Sequence, residues 1–117
     1  MIQVINKFSE FIKDYNISRY RTTGKSYELV LTIIFTDLSE LHVADYLFLD
    51  GKRKYTFHYQ DDNSKLIFRY DTAPHWKNSK TFPYRKHLRD ENVIDSKIMF
   101  LESVLNEIVA FYHSKKD

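Results

Sequence analysis

Between residues 27 and 71 the chain alternates its side chains with a period of two, run after run, with a short polar turn between runs. That period suits half-buried β-strands and no helix. Residues 27–36 place Leu29, Leu31, Ile33 and Phe35 on one face, and Thr36-Asp37-Leu38-Ser39 can turn the chain. Residues 40–49 resume with Leu41, Val43, Leu47 and Leu49 on one face, interrupted at Asp45, which reads as a bulge. Asp50-Gly51 is the strongest hairpin signal in the chain. Residues 52–60 set Arg53, Tyr55, Phe57 and Tyr59 against Lys54, Thr56, His58 and Gln60. After Asp61-Asp62-Asn63-Ser64, residues 65–71 set Leu66, Phe68 and Tyr70 against Lys65, Ile67, Arg69 and Asp71. Strands joined by turns this short pair antiparallel.

The two ends of the chain read differently. Residues 2–15 carry Ile5, Phe8, Ile12 and Tyr15 on one stripe, the spacing of a helix that Asn16 can end. Residues 96–113 carry Ile98, Leu101, Leu105, Ile108 and Tyr112 in the same way, with Asp95 or Ser96 as the cap. Residues 72–94 lack a period and read as a long polar loop. The expectation is one α+β domain over residues 1–117. It has an N-terminal helix, a four-stranded antiparallel meander, a long loop and a C-terminal helix, with both helices on one face of the sheet.

Composition removes several classes of function. The chain has no cysteine, so disulfides, thiolate metal sites and a cysteine nucleophile are excluded. No apolar run reaches the length of a membrane span, and the first residues lack the order of a signal peptide. The expectation is a cytoplasmic protein with no membrane contact. Two glycines cannot build a phosphate-cradling loop. A net charge of +2 does not announce nucleic-acid binding by itself. Its distribution says more: residues 77–89 hold Lys77, Lys80, Arg85, Lys86 and Arg89 and no acid.

Chemistry concentrates around the expected loop. Pairing Phe57 with Phe68 across the turn at residues 61–64 sets His58 opposite Ile67 and Thr56 opposite Arg69. The period of two then puts His58, Arg69 and Asp71 on the sheet face away from the helices. Pro74 and Pro83 stiffen the segments that bear His75 and His87. Imidazoles titrate near neutral pH and suit metal-free RNA cleavage, with His58, His87 and His75 as proton-transfer groups. Asp71 would orient an imidazole or pair with Arg69, while Arg69, Arg85 and Lys86 would meet phosphate and Trp76 would stack on a base.

Two other readings stay open. One is a non-enzymatic module that binds protein or nucleic acid through this aromatic and basic surface. The other is a metal-dependent nuclease, because Asp71, His75 and His87 are acceptable ligands. Their spacing matches no metal motif, so no metal or cofactor is expected. A homodimer is compatible with an open sheet edge or face.

The runs Tyr55-Thr56-Phe57-His58-Tyr59-Gln60-Asp61, Leu66 through His75, and Thr81-Phe82-Pro83-Tyr84-Arg85-Lys86-His87 together resemble the TumE family of prokaryotic toxins. Leu41-His42-Val43-Ala44-Asp45-Tyr46, the terminal helices and the chain length are similar too. The resemblance implies the toxin of a type II toxin–antitoxin pair, neutralised by contact with a small helix-turn-helix antitoxin. Thr72, Trp76 and Tyr84-Arg85 depart from the family pattern. His58, Arg69, Asp71, His75, Lys86 and His87 are the positions that carry over.

Overall fold

The computed structural model describes residues 1–72 and 83–116, with side chains described as far as Phe111. A short helix α1 (Ile2–Lys7) and a single 3₁₀ turn (Ser9–Phe11) lead into seven strands. These are β1 (Ile12–Thr23), β2 (Ser26–Phe35), β3 (Glu40–Leu47), β4 (Arg53–Gln60), β5 (Leu66–Thr72), β6 (Tyr84–Leu88) and β7 (Val93–Asp95), and helix α2 (Leu101–Lys116) closes the chain. The strands form one sheet in sequence order, each antiparallel to the next. The expected four-stranded meander is therefore wrong: among the described residues the sheet has seven strands.

Three strands were hidden, each for a physical reason. In β1 the register shifts between Ile12 and Asp14 and again between Ile17 and Arg19. Ile12, Tyr15, Ile17 and Tyr20 thus sit opposite Phe35, Ile33, Leu31 and Leu29. The step of three from Ile12 to Tyr15 continues the helical spacing of Ile5 and Phe8, and the expected helix over 2–15 in fact ends at Lys7. The further steps of two and three hide the period of the rest of the strand. In β6, Lys86 occupies an inward position that alternation reserves for an apolar residue. Its ammonium lies 5.1 Å from the Phe68 ring centre and 4.8 Å from that of Tyr70, and meets Glu107 Oε1 at 2.6 Å. Strand β7 has only three residues, too few to show a period.

Helices and sheet share one core. Ile5 and Phe8, Leu29, Leu31, Ile33 and Phe35 of β2, Leu41 and Val43 of β3, Tyr55, Phe57 and Tyr59 of β4, and Phe68 and Tyr70 of β5 are buried together. Met99 and the α2 residues Val104, Leu105 and Ile108 complete it. Helix α2 begins later than the expected residue 96. Asp95 belongs to β7, and Ser103 Oγ accepts from the Phe100 N–H while donating to the Phe100 carbonyl. Of the expected α2 stripe, Ile98 is exposed and the Tyr112 side chain lies outside the described residues.

Asp45 marks no bulge: β3 pairs with β2 and β4 without a break. It is a buried anion held by Arg53, whose Nε and Nη2 donate to its two oxygens at 2.8 Å each. Arg53 Nη1 donates to the Met99 carbonyl at 2.7 Å, and the guanidinium stacks between Tyr55 and Phe100. This pair ties the segment before α2 to the central strands. Gly51, at φ +86°, makes the β3–β4 turn that Asp50-Gly51 announces.

Candidate functional site

The sheet has a second face, and the register composes it. β3 to β6 place His42, His58, Arg69 and His87 side by side in one row across four strands. The neighbouring row is Ala44, Thr56, Asp71 and Arg85, continued by Asp95 on β7. The observed β4–β5 pairing, Tyr59 with Phe68 and His58 with Arg69, lies two residues from the expected one, with a bulge at Gln60. A shift of two preserves the face, so His58, Arg69 and Asp71 still project together. A shift of one would have sent them into the core.

Asp71 is the electrostatic centre of this face. It is 4% exposed and accepts from Arg85 Nε at 2.7 Å. His87 Nε2 lies 3.2 Å from its other oxygen, a contact that becomes an ion pair when the ring is protonated. Arg69 Nε also lies 3.2 Å from that oxygen, yet it makes no hydrogen bond, because distance permits an ion pair that alignment does not complete. The Arg85 side chain is thereby largely sequestered, at 15% exposure, whereas that of Arg69 remains 42% exposed. Arg69 therefore presents positive charge outward from an anchored base.

His58 sits beside Arg69 and His42. Its ring centre is 6.2 Å from that of His42, at a steep angle. Burial first, then the Arg69 guanidinium, pushes the His58 pKa below the ordinary value of 6.5, against a hydrogen bond with Gln60 that favours the charged form. The neutral imidazole is the result at physiological pH. His42 Nδ1 lies 3.4 Å from Thr32 Oγ1, and its Nε2 is 3.4 Å from Glu40.

A titration checks this arrangement. Replacing Arg69 with glutamine removes a cation that lowers the His58 pKa, so the ring-proton NMR midpoint of His58 rises toward 6.5. In the unsubstituted protein the unfolded state takes up the His58 proton before the folded state does as pH falls. Stability attributable to His58 is therefore present above pH 6.5 and is lost as pH falls through the lower native midpoint. The His58→Gln variant should lose less stability than the parent between pH 7 and pH 5, read from urea midpoints. An equal loss in both proteins refutes the depressed pKa.

The other candidates separate. His58, Arg69, Asp71, Arg85 and His87 share the open face. Lys86 points the opposite way, into the pocket of Tyr70, Phe68 and Glu107 beneath α2. His75 and Trp76 lie outside the described residues. His42 was unassigned from sequence, although a signal existed. Matching the apolar faces of residues 41–47 and 53–59 forces His42 and His58 onto one surface. Among the described residues, no group of three His, Asp or Glu side chains is placed to hold a metal ion. Among the described residues, no helix is long and apolar enough to cross a membrane.

Among the described residues the structure is one antiparallel sheet, with helices on one side and a row of imidazoles and guanidiniums on the other. The family model described as toxin TumE matches residues 1–113, and the chain belongs to that family. It is the toxin of a toxin–antitoxin system, and its partner is an antitoxin. No curated protein and no solved structure matches it significantly.

Proposed function

We propose that the toxin arrests growth by cleaving RNA on the open sheet face, without a metal ion. The observation that carries this reading is the row His58–Arg69–His87, an imidazole on either side of a guanidinium on three adjacent strands. Alternate strands lie about 10 Å apart, which leaves room for one phosphodiester between the two rings. His58, neutral at physiological pH, takes the proton of the ribose 2′-hydroxyl. The 2′-oxygen attacks phosphorus, the bond from phosphorus to the 5′-oxygen breaks, and His87 returns a proton to the departing oxygen. The products are a 2′,3′-cyclic phosphate and a free 5′-hydroxyl.

Arg69 faces the charge that develops on the phosphoryl oxygens. Asp71 orients His87 and anchors Arg69 and Arg85. His75 and Trp76 remain candidates for proton transfer and base stacking. Lys86, spent on Glu107, supports strand β6 rather than meeting phosphate. The neutralising partner in this reading is a small helix-turn-helix antitoxin, and the setting is the cytoplasm, where RNA is the target.

Purified toxin incubated with RNA, with and without EDTA, tests the reading. Cleavage that survives EDTA and leaves cyclic-phosphate ends supports it. Cleavage abolished by EDTA and restored by a divalent ion replaces it with metal-dependent chemistry. Growth arrest without any RNA cleavage leaves a binding protein.

A further inference from the structure

We propose that β1 is the docking edge for an extended, acidic segment of the antitoxin, which joins the sheet as an eighth strand. The proposal uses the family's antitoxin partner and is independent of RNA chemistry.

β1 is the terminal strand of the sheet, and among the described residues no strand pairs with its outer side. It has twelve residues, a run of about 40 Å of backbone on which every second residue turns its N–H and C=O outward. Ten of those twelve residues are exposed. Such an edge is a ready template for strand addition, and soluble proteins rarely leave one this long bare.

Charge selects the occupant. Residues 13–25 hold Lys13, Arg19, Arg21 and Lys25 against Asp14 alone, net +3, although the whole chain carries only +2. Arg19 and Arg21 pair in register with Val30 and Glu28 and belong to the open face. Tyr15 and Tyr20, opposite Ile33 and Leu29, belong to the helix side and are 39% and 56% exposed. An incoming strand with alternating acidic and apolar residues would meet arginines on one face and tyrosines on the other. A second copy of β1 fits poorly. A two-fold axis at Ile17 sets Lys13 against Arg21, and one at Tyr20 sets Arg19 against Arg21. RNA phosphate accepts hydrogen bonds and gives none, so it would leave the outward carbonyls of β1 unmatched.

The test compares amide hydrogen exchange of the full-length toxin alone and in complex with its co-expressed antitoxin. Alternate β1 amides between Lys13 and Thr23 are expected to slow at least about tenfold on complex formation. The paired variant Arg19→Glu with Arg21→Glu, on the solvated surface, is expected to weaken antitoxin binding at least about tenfold and to flatten its salt dependence. Unchanged β1 exchange in the unsubstituted complex overturns the proposal whatever the variant does. So does β1 protection in the toxin alone that disappears on dilution, which identifies a second copy as the occupant. Protection produced by an oligouridine without antitoxin overturns it as well.

Discussion

Replacing Asp71 with alanine is expected to lower the stability of the toxin by about 3 kcal/mol, the cost of removing one partner from a buried charge cluster. Asp71 is nearly inaccessible, and it answers Arg69 on its own strand and Arg85 and His87 on neighbouring β6. Without it, Arg85 and His87 keep their charge or their donors in a part-buried setting with less to satisfy them. In a chain of 117 residues such a loss corresponds to a fall of roughly 10 °C in melting temperature. Asp71→Asn keeps the shape and one acceptor, so it should fall between the parent and the alanine variant. Combining Asp71→Ala with Arg85→Met should cost less than the two single changes added together, since each removes the reason for the other. A loss below about 1 kcal/mol for Asp71→Ala would mean that water screens the cluster as it screens a surface pair.

The second large effect concerns chemistry with the fold intact. On the proposed mechanism His58→Ala reduces RNA cleavage by at least about a hundredfold, the usual contribution of a positioned proton-transfer group. His87→Ala does the same, and neither variant arrests growth. His58 is only part-buried, and its loss should change stability by less than about 1 kcal/mol. Arg69→Lys keeps the charge but not the planar fork, and activity should fall about tenfold or more. Circular dichroism and urea titration on the same preparations separate lost chemistry from lost folding. Full growth arrest by the double variant His58→Ala, His87→Ala removes both imidazoles from the mechanism.

The central strands were legible because their two faces have unlike partners, core on one side and water on the other. That contrast wrote a period of two into residues 27–71. It also carried the site: a pairing error of two residues between β4 and β5 left His58, Arg69 and Asp71 on the correct face. Legibility failed where a single residue broke the code. The register shift near Ile12 let the first four residues of β1 pass as the end of a helix over 2–15, and the second shift, near Ile17, left the rest of that strand without a readable period. Lys86 at an inward position turned β6 into an apparent loop, because its charge is answered by Glu107, a residue 21 positions away that no local window contains. With β6 unseen, the contacts of Arg85 and His87 with Asp71 were unseen too, although the residues themselves stood out by type.

Among the described residues the sheet's two borders are unequal: β1 runs for twelve residues, and β7 for three. Open-ended polymerisation by strand exchange needs a receptive border at both ends of every unit, so that each added molecule offers a new site for the next. A three-residue border gives too few main-chain bonds to hold a newcomer. Growth by this route therefore stops after one capture, and the molecule can keep one long border available without seeding fibrils.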